Sequence, residues 1–190
     1  VSFPKPYADA VAKLRVPFGF LLVAAFWYLA APTWGSLAAG LPVAFAGLAL
    51  RAWAAGHLQK NQSLAEGGPY AYLRNPLYVG TLTVAAGFAI AARRWDLGAL
   101  FAAVFFLIYF PVVELEEQHL RKLFPEYAEY ARRVPKLVPS FGDAGGRRAG
   151  RGARPANSQF RWAQYRRNRE YEAAAGFLIG VAALCWKVIR

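Results

Sequence analysis

The stretch WDLGALFAAVFFLIYFPVV, Trp95–Val113, decides the fold. It holds one charged side chain, Asp96 near its start, and apolar residues fill every face of the helix it would form. A surface helix of a soluble domain keeps a polar stripe, whereas one that is apolar all round lies in a core or in lipid. About 20 such residues are needed to cross the roughly 30 Å of hydrocarbon in a bilayer. Working outward, Arg93, Arg94 and Asp96 mark a turn, and another apolar run, Tyr78–Ala92, precedes it. Leu37–Ala55 and Val16–Trp34 are two more, joined by a short uncharged turn as a hairpin, and Ala173–Ile189 is the last. The first run is long and ends at Pro32, Trp34 and Gly35, so it reads as a retained helix and not as a cleaved leader. The expected fold is all-α, a polytopic membrane helical bundle of about five transmembrane helices.

Composition agrees with that reading. Charged residues make up 18% of the chain, below the roughly 25% of soluble domains. Six Trp and ten Tyr suit membrane–water boundaries, where one edge of the ring stays wet. The net charge of +12 is concentrated, because residues 121–169 carry 13 Lys and Arg against three acids. Cytoplasmic loops beside membrane helices collect such charge and anionic lipid headgroups attract it, so no nucleic-acid partner is expected. Five spans with the amino terminus inside place both 56–77 and 114–172 in the cytoplasm, and a bacterial inner membrane is the expected location. Arg93 and Arg94 fall at the opposite end and are outweighed by the larger basic loop. Residues 143–156, rich in Gly and Arg, offer no apolar surface to offset the entropy of ordering. They read as a flexible, dispensable linker between a core of residues 1–142 and a segment 157–190. Within that segment Ser158–Glu172 reads as an interfacial helix, with Phe160, Trp162 and Tyr165 among arginines, before the last span. The single cysteine, Cys185, rules out an internal disulfide, and with two histidines it makes no zinc cluster, so no metal is expected.

There is no Walker A loop, no GxGxxG after a strand and no HExxH. Any chemistry then falls to the two polar segments that share one side of the membrane. In the first, Gly67-Gly68-Pro69 is a strong turn signal and Pro76 suits the opening position of a helix. Tyr70, Arg74, Asn75 and Tyr78 recur three to four residues apart around it. A site at the mouth of the third apolar run and an interfacial aromatic belt with a snorkelling Arg74 both fit that spacing. In the second segment Glu114, Glu116 and Glu117 follow directly on an apolar helix. Carboxylates at a membrane boundary are either functional or the solvated end of the helix.

The stretch Gly68-Pro-Tyr70-x-x-x-Arg74-Asn75-Pro76-x-Tyr78-x-Gly80 resembles a signature of the isoprenylcysteine carboxyl methyltransferase family, which is grouped with the phospholipid methyltransferases. A second signature of that family is similar to Glu116-Glu117-x-x-Leu120 followed by Tyr127-x-x-Tyr130 and Val134-Pro135. The two occur in order, separated by a helical hairpin, and cover about residues 50–140. The resemblance implies an integral membrane enzyme that uses S-adenosylmethionine without a Rossmann fold and admits lipophilic acceptors from the bilayer. Carried over by position, it implies cofactor contacts from Gln62, Ser63, Leu64 and Ala65, then from Tyr70, Asn75, Pro76, Leu77 and Tyr78. It also implies Glu116, with Glu117 as its neighbour, for the cofactor's ammonium, where a carboxylate makes a charge-assisted hydrogen bond.

Asn75 and Gln62 stand where members of the family have histidine, and amides cannot carry a proton there. Val112 stands where the prenylcysteine enzymes have the arginine that meets a substrate carboxylate. The expected acceptor is therefore a neutral or amine-bearing amphiphile drawn from the bilayer, among membrane lipids. His57 and Arg74 are the candidate catalytic residues, because histidine changes charge near neutral pH and Arg74 lies inside the signature. For His57 a plain hydrogen-bonded helix end fits as well. A membrane NADPH-dependent reductase of the sterol-reductase type is the alternative, with Arg132, Arg133 and Lys136 as partners for the 2′-phosphate.

Overall fold

The structure, a computed structural model, describes residues 5–140 and 159–190, with side chains from Pro17 onward. The linker expected over 143–156 lies outside the described residues. Those residues are helical with no strand, as the apolar runs require. Helix α1 is Lys5–Leu29 and α2 is Trp34–His57. A 3-10 turn over Gly68–Ala71 precedes α3, Pro76–Ala91. Helix α4, Trp95–Val104, runs through a π-helical segment, Phe105–Tyr109, into α5, Phe110–Leu123. Then come α6, Tyr127–Arg133, α7, Trp162–Arg167, and α8, Tyr171–Ile189.

Among the described residues three helices are long and apolar enough to cross a membrane: α2, the continuous helix Trp95–Leu123, and α8. The two other apolar segments, Pro17–Leu29 and α3, are shorter. At 16 residues α3 is roughly 24 Å long, below the thickness of the hydrocarbon layer.

Three local differences from the sequence reading have identifiable causes. Trp34 opens α2 and does not close the first run, because Thr33 and Ser36 cap it reciprocally. The Ser36 amide donates to Thr33 Oγ1 at 3.2 Å and the Thr33 amide to Ser36 Oγ at 2.9 Å. The long helix widens at Phe105–Tyr109, where the Phe110 amide reaches back five residues to the Phe105 carbonyl. Pro111 follows directly; it has no N–H for the Leu107 carbonyl, and its ring crowds that carbonyl, so the extra residue in the turn relieves the clash. The described part of 158–172 is not one helix. It is six-residue α7 and a turn in which Arg169 takes a positive φ of 55°.

The chain divides into two compact units that interleave along the sequence. The first draws on Val1–Phe45, Leu82–His119 and Phe177–Arg190. Its core joins Ala30, Leu37, Ala91, Ala92, Leu97 and Leu184, with Cys185 against it. Phe88 meets Phe26 and Phe177 edge-to-face at 5.7 and 5.6 Å, the arrangement favoured by the ring quadrupole. The last carbonyls of α1 lack helical partners and are met by cations. Lys187 Nζ donates to the Trp27 and Ala30 carbonyls at 2.7 and 2.6 Å, and Arg94 Nη1 to that of Leu29 at 3.1 Å while its other nitrogens hold Asp96. Arg94, at the end where the topology expects little positive charge, thus has a capping role.

Helices α2 and α3 touch backbone to backbone in this unit. A Cβ on Gly40 would overlap the Gly87 carbonyl, and one on Gly87 would fall 2.7 Å from Cα of Ala44. Lipid tails are as apolar as side chains, so helices in a bilayer gain cohesion from such close packing of small residues. Gly87→Val is expected to destabilise the detergent-solubilised protein by about 3 kcal/mol, the upper range for overpacking. Gly176, with open space around its Cα, provides the control. Gly176→Ala should hold or raise the melting temperature, and equal melting of both variants would contradict the contact.

Candidate functional site

The second unit, Ala46–Thr81 and Leu120–Gly176, contains the polar segment that the sequence singled out. It is built on the close approach of α2 and α3, where a Cβ on Gly80 would lie 2.8 Å from the Gly47 carbonyl and 2.6 Å from Arg51 Cγ. Arg51 lies beside that approach. Its Nε and Nη2 bind Glu170 in a bidentate pair at 2.6 and 3.1 Å, and its Nη1 bonds Thr81 Oγ1. Thr81 in turn donates to the Leu77 carbonyl at 2.9 Å. Glu170 is buried, and two fork-like bonds offset the cost of removing its charge from water. Arg51, a polar group near the hairpin's end, is therefore committed to an ion pair.

Helix α2 ends at His57, which is buried to 4% exposure. Its Nδ1 lies 2.9 Å from the Trp53 carbonyl. A carbonyl only accepts, so Nδ1 carries the hydrogen and Nε2 is the ring's basic atom in the neutral form. The ring is walled by Trp53 and Phe160, each edge-to-face at 6.2 Å, and by Gly68. Gly68 has φ +59°, and a Cβ there would stand 2.7 Å from three atoms of the imidazole, Nε2 among them. Only glycine meets both demands. His57 is thus a hydrogen-bonded helix-end histidine whose basic nitrogen faces the Gly-Gly-Pro turn.

The loop 58–75 is held by its own turns and by the segment 130–140. The Tyr130 hydroxyl donates to the Tyr70 carbonyl at 2.8 Å, and burial pushes its phenol well above the ordinary value, so it stays a donor. The Arg74 amide donates to the Pro135 carbonyl at 2.9 Å, Asn75 Nδ2 to that of Lys136 at 3.3 Å, and the Ser140 amide to that of Tyr72 at 3.2 Å. Tyr127, Tyr130 and Val134 are buried together against Leu64, Leu120 and Phe124. The tyrosines and Val134-Pro135 of the second signature therefore form the floor under the first. Arg133 Nη2 stands 3.6 Å from Glu66. Burial pushes the Glu66 carboxyl up, against the lowering by Arg133. A raised folded value means that Glu66 costs stability when ionised, and this cost fades as pH falls through that value.

Within the loop and at the start of α3 the implied cofactor residues divide by exposure. Ala65, Tyr70 and Pro76 are buried, with Tyr70 packed against Ala54 and Ala65. Ser63, Leu64, Asn75, Leu77 and Tyr78 are half-buried and Gln62 is exposed. Arg74 is half-buried beside Asn75. Glu116 and Glu117 belong to α5 in the first unit, and their exposures differ: Glu116 is exposed, whereas Glu117 is buried at 4%. Among the described residues no group of three or more His, Cys, Asp or Glu side chains is placed to hold a metal ion.

The sequence reading placed Phe160 only in an interfacial helix and gave Arg161, Arg167, Asn168 and Glu170 no part in the site, yet these residues contact this loop, the end of α2 or Arg51. The Arg161 amide donates to the Gly56 carbonyl at 3.0 Å, and Asn168 Nδ2 to those of Ala55 and Leu58 at 2.8 and 3.0 Å. With its amide oxygen facing the guanidinium, Gln62 accepts from both terminal nitrogens of Arg167 at 3.0 and 3.2 Å. The one available signal was Glu170, an acid directly after an arginine-rich run and just ahead of an apolar span.

Tyr130→Phe removes the donor from a buried carbonyl. It is expected to cost about 1–3 kcal/mol in thermal unfolding. An unchanged melting curve would remove that bond from the loop's support.

The chain is 38% identical over 91 residues to the cobalt-zinc-cadmium resistance protein CzcN of Cupriavidus metallidurans, a match covering 47% of this chain and 42% of that protein. It is 35% identical over 113 residues to the nickel-cobalt-cadmium resistance protein NccN of Alcaligenes xylosoxydans xylosoxydans, covering 56% of this chain and 53% of that protein. The matches thus span about half the length of these curated relatives. No solved structure matches the chain. Residues 43–127, which include the whole loop, α3 and α5 and make up a little under half of the chain, match the model of the phospholipid methyltransferase family, and this match together with the apolar helices supports an integral membrane protein.

Proposed function

We propose that the chain is an S-adenosylmethionine-dependent methyltransferase acting on a lipophilic or amphiphilic acceptor at the cytoplasmic face of the membrane. The observation that carries this reading is the loop 58–75 within the family-matched residues. The rim formed by the loop and the start of α3 mixes exposed Gln62 and half-buried Ser63, Asn75 and Tyr78, which can hydrogen-bond, with apolar Leu64 and Leu77, beside buried Ala65, Tyr70 and Pro76. Such a lining fits a ligand that combines an aromatic base, a sugar and an amino-acid head. Glu116 and Glu117 remain in the reading as partners of the ammonium, on the strength of the family resemblance.

S-adenosylmethionine, when bound, supplies an electrophilic methyl group on a cationic sulfur. The chain's own part is to hold, orient and exclude water, which for a displacement of this kind is most of the catalytic work. The rim supplies the hydrogen bonds, and the tyrosine floor fixes the loop that bears them. His57 holds its hydrogen at Nδ1 and offers Nε2 as the atom that takes up a proton when the acceptor releases one. Val112 brings no cation, so the acceptor in this reading is a neutral or amine-bearing amphiphile from the bilayer. The relatives' names speak of metal resistance, and in this reading a link to that process runs through the methylated acceptor.

Titration of the purified protein with S-adenosylmethionine is expected to show binding, and NADPH is expected to show none; the reverse would favour the reductase. Tyr78→Ala should weaken S-adenosylmethionine binding, and so should Glu116→Gln or Glu117→Gln. Loss of a charge-assisted bond should cost about 1.5–3 kcal/mol. Unchanged affinity in both folded glutamine variants would remove the double glutamate from the site. For topology, cysteines placed at Ser63 and Ser140 should label from the same, cytoplasmic side, and labelling from opposite sides would overturn it.

A further inference from the structure

We infer that the segment Phe160–Glu170, which lies beyond the family-matched residues 43–127, is a strap that positions the cofactor loop, with Arg167 its positioning residue. The inference rests on the reading of that loop given above.

Three kinds of contact tie the strap down within the second unit. The first is to the end of α2, through Arg161 and Asn168 on the last carbonyls. The second is the Phe160 ring. A Cβ on Gly56 would overlap it, and it closes one side of His57. The third is the buried Glu170 on Arg51. These fix both ends of α7, so Arg167, at its last turn, is carried on a braced element. From there its guanidinium makes two bonds to the amide oxygen of Gln62, a residue on the rim that the reading gives to S-adenosylmethionine. Gln62 sits in a tight turn: its own amide and that of Ser63 both return to the Gln59 carbonyl, at 3.1 and 3.4 Å, and Asn61 has φ 60°. A side-chain anchor to a braced element restricts such an exposed turn further. Arg167 supplies that anchor from about 105 residues away in sequence, as the distance from Gln62 to Arg167 shows.

Arg167 is exposed, so its loss leaves no buried charge and should not unfold the protein. The test uses full-length protein in detergent with Arg167→Ala, Gln62→Ala and the double variant. The expected results are an unchanged melting temperature, faster hydrogen exchange at the amides of 59–66 in Arg167→Ala, and S-adenosylmethionine binding weakened about five- to tenfold, the scale of one or two hydrogen bonds. The double variant should bind no more weakly than the weaker single one, since both remove the same contact. Unaltered exchange in 59–66, or affinity for S-adenosylmethionine equal to that of the parent, would overturn the inference. If the parent protein binds no S-adenosylmethionine while exchange in Arg167→Ala still accelerates, the strap stands and the transferase reading falls.

Discussion

A helix that stops inside a protein must find partners for its last carbonyls, and the second unit is organised around that requirement at the end of α2. The carbonyls of Ala55, Gly56 and Leu58 are met by Asn168 and by the Arg161 amide, groups more than a hundred residues later in the chain. The other features follow from this contact. Gly56 has no side chain because the Phe160 ring occupies the place of one. The helix expected over 158–172 breaks at Asn168 and Arg169 because Asn168 is drawn to α2. Glu170 then arrives at Arg51, which is already bonded to α3 through Thr81.

The same contact sets the environment of His57. Its hydrogen bond to Trp53 is local, but its burial depends on Phe160 on one side and on the positive-φ Gly68 on the other. A histidine at a helix end would ordinarily meet water. Here it is enclosed by aromatic rings and backbone, with Nε2 facing the turn that opens the loop.

Much of the fold is legible in the sequence because apolar runs and proline carry their meaning locally. Trp95–Val113 is apolar on every face and forms a continuous helix, and Pro76 opens α3 where its missing N–H costs nothing. Features that depend on register or on distant contacts are not legible in this way. Pro111 is visible, but the widened turn at Phe105–Tyr109 is a three-dimensional answer to it. In the loop, Tyr70, Asn75, Pro76 and Tyr78 read alike as polar or aromatic motif residues. Which of them are buried depends on distant contacts, such as the packing of Tyr70 on Ala54 and Ala65 and the Tyr130 hydroxyl on the Tyr70 carbonyl, and the spacing within the motif does not show these. Glu116 and Glu117, adjacent in sequence, differ in burial because neighbours on a helix point about 100° apart.

The backbone contact between α2 and α3 has a mechanical meaning. Helices separated by side chains can slide by exchanging rotamers, but at Gly40, Ala44 and Gly87 there are no long side chains to rearrange, and a small shift meets hard repulsion. Within the first unit these two helices therefore behave as a stiff beam. Give in the chain is left to regions joined by hydrogen bonds between side chains and turns, which can break and re-form singly. Stiffness and compliance are thus distributed by residue size, with glycine, the residue usually associated with flexibility, marking the rigid part.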